Sequence, residues 1–521
     1  MSKTRISTAA FWIGVLIALC GIAAGMSEGA IEIGSRRELL VDEHLIAEFK
    51  GGAELRLHHP VRREIAIVHD APWEGSGCGY HTVFKDGDKY RMYYHGWHIT
   101  PEGGTGNPIV ICYAESNDGI GWVKPTLGLV EFEGSKDNNI ILAKIGRYGC
   151  HDFSPFIDTN PQASEAARYK AVGWPRGQKG LFGFASADGI RWKPVKDDFI
   201  FSDTGWVFDT QNIAFWSELE RQYVMYYRKT VGGIRNIARA VSKDFIEWKK
   251  EGLLDFQGTG PTKCEQFYTN QIRPYYRAPH LYIGFPARYT DRGWVEATNA
   301  LPSPQLRQQR AKGHRRHGSA VTDGLLITSR DGRRFHRWDE AFLRPGLRTQ
   351  HNWAYGDNYI AWHVVETSST FDDQPRELSL YATESYFTGS ASRLRRYTLR
   401  VDGFASIHAP AGAGEVITRY IKFAGSCLRL NFSTSAAGGI HVEIQDMEGK
   451  AIPRFRMEDC LEVFGDATDY MVKWKGGATL GALANQPVRL RFVLREADVY
   501  AFRFASSGRE GAGTEPDKPR H

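Results

Sequence analysis

The sequence predicts an all-β protein: a five-bladed β-propeller followed by a β-sandwich. Three observations predict it. First, a short phrase recurs as SNDGIGW (Ser116–Trp122), SADGIRW (Ser186–Trp192) and SKDFIEW (Ser242–Trp248). A looser copy, SRDGRRF, lies at Ser329–Phe335, with Trp338 three residues on. Second, each copy follows a strand-like run: VICYAE, LFGFAS, NIARAV and GLLITS. Third, the runs between copies alternate with period two, and no stretch shows a long, capped 3.6-residue pattern. Self-similarity spaced by several tens of residues marks a repeat architecture, and small antiparallel sheets repeated radially form a propeller.

The elements follow in order. Lys3 and Arg5 precede an apolar stretch from about Ala9 to Ala24, and Ala23, Ala24 and Gly25 offer a cleavage site. This pattern predicts a signal peptide over 1–25. An uncleaved anchor is the alternative, but the stretch is short for a span and no other long apolar run follows. The mature chain is therefore expected in a secreted or periplasmic location, without stable membrane insertion. Segment 31–69 contains strand-like pieces (ELLVD, AELRLHH) expected to run along the propeller or close it. Five units then follow, with inner strands starting near Gly79, His151, Phe208, Glu265 and Asn352, so the propeller is expected over 31–400. Leu301–Gly318 interrupts the fourth unit and reads as a long exposed loop rich in Gln, Arg and His. After about Val401, runs such as CLRLNFST, IHVEIQD and VRLRFVL alternate over short lengths and predict a β-sandwich over 401–505. The Gly-, Pro- and charge-rich tail, 506–521, is expected to be disordered.

Composition excludes some classes. The chain has 521 residues and a formal net charge of +6, with no aromatic-basic stripe, so nucleic acid is not an expected partner. Of seven cysteines, Cys20 leaves with the signal. Cys78, Cys112, Cys150, Cys264, Cys427 and Cys460 remain, either pairing or staying as buried thiols. No CxxC or paired Cys/His spacing is present, so no metal site or cofactor is expected, and a structural Ca²⁺ is not indicated.

A propeller brings the starts of its inner strands together around one axis. The carboxylates near those starts are Glu74, Asp152, Asp209 and Glu265, with Asp357 in the fifth unit. Carboxyl groups held close together have their pKa values pushed apart, so one remains an acid while another stays ionised. Glycosidic bond cleavage uses such a pair. The catalytic candidates are therefore Asp152, Asp209, Glu265 and Glu74. The neighbouring candidates for sugar binding are Trp73, His81, His151, Gln211, Asn212, Gln266, Asn270, Arg273, Asn352 and Trp353, with Tyr268 close to the same starts. Each acid taken alone reads equally as a turn or cap residue. The aspartates of the repeat phrase (Asp118, Asp188, Asp244, Asp331) are expected to bond their own turns.

With strand-start acids, S-x-D-G-x-x-W phrases and a C-terminal sandwich, the chain from about Glu74 onward resembles the five-bladed glycoside hydrolases of families 32 and 43. The resemblance implies that Asp152, in HDFSPF, tunes or orients its neighbours. It also implies that Asp209, in DTQNIAF, is the general acid, where the family has Glu. The first blade departs: SGCGYH carries no carboxylate, so Glu74 or Glu265 would have to supply that group.

The expected function is an exported glycoside hydrolase acting on a poly- or oligosaccharide. A non-catalytic carbohydrate-binding propeller and a glycoside phosphorylase on the same scaffold are the alternatives. The basic stretch Arg307, Arg310, Lys312, Arg315 and Arg316 reads two ways, as a solvated loop or as a contact for an anionic glycan.

Overall fold

Alternating runs ending in Ser-Asp-Gly turns build five four-stranded blades. The computed structural model describes residues 29–100 and 102–506; the expected signal peptide and all but the first residue of the expected tail lie outside them. The first blade comprises Gly79–Asp86, Lys89–Gly96, Val110–Ser116 and Ile140–Leu142. The second is built on Tyr148–Ile157, Tyr169–Pro175, Gly180–Ser186 and Lys193–Pro194. The third is built on Ile213–Ser217, Gln222–Val231, Ile234–Ser242 and Trp248–Leu253. The fourth comprises Arg273–Tyr275, Ala278–Gly284, Ile327–Ser329 and Arg334–Arg337, with Asp255–Gln257 added in parallel outside. The fifth contains Val365–Thr367, Glu377–Glu384 and Arg393–Arg400, and it is completed by Val61–Val68 from the N-terminal side. That pairing ties the two ends of the propeller into one sheet and leaves no open seam, which is how a radial array protects its edges.

The repeat phrase supplies both the turns and the stitching between blades. In each copy the Ser Oγ accepts a backbone N–H three residues on, at 2.8 Å for Gly119 and 2.9 Å for Gly189. The Asp carboxylate accepts the next two amides, for example Ile120 at 2.7 Å and Gly121 at 2.9 Å. These side chains replace the ladder bonds that the backbone gives up as it turns. The turn then receives a phenol from the middle strand of the neighbouring blade. Tyr93 donates to the Gly189 carbonyl at 2.9 Å, Tyr226 to Gly332 at 2.7 Å and Tyr381 to Gly119 at 2.5 Å. Gly189 has φ +75°, and a Cβ there would meet the Tyr93 hydroxyl at 2.8 Å, so glycine serves both the turn and the close approach.

Three expectations need correction. Only Val61–Val68 of segment 31–69 belongs to the propeller. Glu38–Leu39, Ile46–Gly51 and Glu54–Leu57 enter the C-terminal eight-stranded sheet, because their apolar faces complete its core around Leu40, Phe432 and Phe502. The stretch Leu301–Gly318 is not an open loop. Pro304 starts a helix, Pro304–Gly313, from the first-turn position that suits proline, and Arg307 and Arg310 are buried beneath it. The inner strands of the fourth and fifth blades begin at Arg273 and near Ile360, later than Glu265 and Asn352. Residues Glu265–Phe267 instead pair with Ala287–Asp291, which pairs with Ala320–Gly324, in a separate three-stranded sheet.

The C-terminal sheet folds over its own core. Its long strands Cys427–Gln445 and Arg489–Ala505 run side by side, with a break in register between Thr434 and Gly439 where the sheet bends. The six cysteines among the described residues are free thiols, all buried except Cys264. No helix among the described residues is long and apolar enough to cross a membrane.

Candidate active site

The segments that enter the inner strands converge on a cavity of about 670 Å³ on the propeller axis. Tyr80 comes from the first blade and His151 from the second. Asp209 precedes the third inner strand, Tyr268 the fourth and Tyr355 the fifth. Trp97, Trp174 and Trp206 form an aromatic rim with Phe387, and Arg176, Lys179, Arg316 and His317 complete the wall. Tyr80 and Phe208 both adopt positive φ, +54° and +66°, conformations that cost energy in non-glycine residues and that cluster at functional sites.

Asp209 is the carboxylate that lines this cavity among the described residues. Its Oδ2 accepts Arg228 Nη2 at 2.8 Å, and its Oδ1 lies 3.5 Å from His151 Nε2. Burial alone would raise the carboxyl, but the charges of Arg228, His151 and Arg316 outweigh it and hold Asp209 below the ordinary carboxylate range. Asp152 behaves in the opposite way. It is fully buried directly behind His151, whose Nδ1 lies 3.8 Å from Asp152 Oδ1. Burial pushes the Asp152 carboxyl well above its usual range, and bonds from the Asn212 amide and side chain only partly offset that. Burial also holds His151 down to about 3, so its ring is neutral. At neutral pH the arrangement is therefore an ionised carboxylate facing the cavity, a neutral imidazole, and a protonated carboxyl behind it.

Tyr268 occupies in the fourth blade the place that Asp209 holds in the third. Phe208–Ile213 reads FDTQNI and Phe267–Ile272 reads FYTNQI. The Tyr268 hydroxyl accepts a hydrogen bond from Tyr355 at 2.6 Å, and its ring lies 4.8 Å from the Arg228 guanidinium and 5.2 Å from that of Arg235.

The other sequence candidates lie elsewhere. Glu74 is buried in the first blade, accepting Lys124 at 2.6 Å and the Tyr94 hydroxyl at 2.5 Å. Glu265 pairs with Arg337 at 2.7 Å and Arg288 at 3.5 Å on the separate small sheet. Both acids neutralise local cations away from the axis, which is the structural role of most paired acids. Trp73 donates to Asn139 at 2.7 Å. His81 meets His69 at 3.1 Å inside the channel, and Gln211 bonds Thr82 at 3.0 Å. Asn212 secures Asp152 and the Phe208 and Thr210 carbonyls. Gln266 accepts Arg235 at 2.6 Å, and Asn270 reaches the Tyr226 carbonyl at 3.4 Å. Arg273 bonds His363 at a second cavity of about 670 Å³, lined by other residues. Asn352 and Trp353 tie down the loop that carries Pro345, Gly346 and Leu347. Arg228, Tyr80 and Tyr355 are site residues that strand-start reasoning did not single out. The Tyr355 position follows from the fifth inner strand's true start, whereas Arg228 comes from a middle strand and carries no local signal.

No family model and no curated protein matches the sequence. Solved structures of similar fold include a BT0996 RGII complex, with 15% identity over 66% of this chain and 92% of its own length, TM-score 0.42. A thermostable family-43 glycoside hydrolase shares 12% identity over 66% of this chain and 96% of its own, TM-score 0.40. A fructofuranosidase from Schwanniomyces occidentalis shares 12% identity over 86% and 96%, TM-score 0.36. The chain thus resembles propeller glycoside hydrolases of families 43 and 32 at low identity.

Proposed function

We propose that this chain is an exported glycoside hydrolase that cleaves a poly- or oligosaccharide at the axial cavity. The observation that carries the reading is the pair Asp209 and Asp152, one ionised and one protonated, with His151 between them. Two carboxyl groups with pKa values driven apart by their surroundings are the requirement of glycosidic cleavage. Asp209, oriented by Arg228, attacks the anomeric carbon or activates water. Asp152 delivers a proton toward the leaving oxygen through His151. This reverses the roles that the family resemblance implies, because Arg228 makes Asp209 a poor acid. The aromatic rim suits sugar rings. Trp206, 60% exposed, offers an apolar face and an N–H at the mouth.

A second reading, a non-catalytic carbohydrate-binding propeller, is favoured by one observation: neither Glu74 nor Glu265 adds a carboxylate to the cavity. Turnover of a glycan panel decides between them. Hydrolysis without added phosphate, lost in Asp209→Asn, supports the enzyme. Saturable binding with no product, unchanged in Asp209→Asn, supports the binding protein.

A further inference from the structure

We propose that the cavity selects a sugar bearing an anionic group, a uronate carboxylate or a sulfate, and that Arg316 receives that group. The inference rests on the glycan-binding reading above and names its substrate class. Three guanidiniums, those of Arg228, Arg235 and Arg316, surround Tyr268 and Asp209. Asp209 neutralises Arg228. Arg235 is engaged by the neutral Gln266 side chain at 2.6 Å. Arg316 lines the cavity, lies over the Tyr355 ring at 5.2 Å, and forms no ion pair among the described residues. Its Nη1 is buried and has no hydrogen-bond partner.

Acids of the adjoining strands are already taken. Asp291 accepts Ser319 at 2.6 Å and the Gly293 amide at 3.0 Å, and Glu265 is held by Arg337 and Arg288. Arg176 and Lys179 add positive charge on the opposite wall without a carboxylate partner among the described residues. A buried donor left unmade costs free energy that an incoming anion returns. The planar guanidinium fork matches the paired oxygens of a carboxylate or sulfate. Hydrogen bonds between charged groups correspond to roughly ten- to hundredfold in affinity.

The test is calorimetric and fluorimetric titration of the full chain, the rim tryptophans reporting occupancy. The probes are galacturonate oligosaccharides and their carboxyl-reduced twins, sulfated galactan oligosaccharides and their desulfated twins, and inorganic phosphate. The expected result is that one charged series binds at least ~10-fold more tightly than its neutral twin. The preference falls to about unity in Arg316→Gln and is partly kept in Arg316→Lys. Equal binding of charged and neutral twins, no binding of any charged probe, or a preference that survives Arg316→Gln would each overturn the inference. Cleavage of a neutral glycan only when phosphate is present would also overturn it, assigning Arg316 to a phosphate co-substrate. Hydrolysis of neutral glycans with no charged preference sinks this inference alone. Tight uronate or sulfate binding without turnover of any glycan sinks the hydrolase and leaves the anion site standing.

Discussion

Replacing Asp209 with Asn separates its electrostatic role from its chemical one. The change keeps the shape and removes the charge opposite Arg228, whose side chain is 2% exposed and whose Nε and Nη1 have no other partner. Breaking a buried ion pair from one side costs about 3–5 kcal/mol, because the remaining charge stays buried. The Asp209 side chain is 29% exposed, so water reaches the site and screens part of that cost. The expected loss is therefore at the lower end, about 3 kcal/mol. Urea denaturation followed by tryptophan fluorescence reads this as a shifted midpoint with an unchanged slope. The double variant Asp209→Asn with Arg228→Met removes both charges and is expected to recover at least half of the lost stability. Turnover falls at least ~100-fold in the single variant and does not return in the double one. A single variant as stable as the wild type, or a double variant that regains turnover, would refute the reasoning.

Asp152→Asn carries a pH signature. The folded carboxyl sits above its ordinary value, so the unfolded chain ionises first and the wild type loses stability as pH rises past about 4. The variant does not titrate there, so its stability relative to the wild type grows from about pH 4 to 7; a difference that shrinks over that range contradicts the assignment. Its turnover falls about 100-fold as the proton source is lost, measured on any glycan the wild type cleaves. Glu74→Gln breaks a buried pair with Lys124 and lowers stability by about 3–5 kcal/mol, while the turnover of the folded protein is unchanged. Asp118→Ala removes a carboxylate that accepts two turn amides and costs about 1 kcal/mol, again without effect on turnover, as denaturation and rate measurements would show.

The propeller was legible because the residues that make its turns are chemically constrained. A Ser hydroxyl, an Asp carboxylate and a positive-φ residue are all needed within four positions, and they recur visibly. Phe245 shows the limit of that rule: it holds φ +71° where the other copies have glycine, because its ring is buried in the core of the third blade. The second and third strand starts were legible because HDFSPF and FDTQNI lie at their inner strands. The fourth and fifth were not, because Glu265–Phe267 and the loop at Asn352 form apolar-rich elements ahead of the true inner strands. Periodicity cannot tell which of two adjacent strands faces the axis. The echo of FDTQNI in FYTNQI was the available signal, and it places Tyr268, not Glu265, beside Asp209. The pairing of Arg228 with Asp209 joins a loop to a neighbouring strand, and no local pattern encodes it.

Everything proposed for the axial cavity depends on its holding a glycosidic bond against Asp209. A crystal structure of Asp209→Asn with an oligosaccharide that the wild type cleaves measures this directly. The scissile linkage is expected within hydrogen-bond reach of residue 209, about 3 Å, with His151 on the leaving-group side. An oligosaccharide bound elsewhere, with the axial cavity empty, would contradict it.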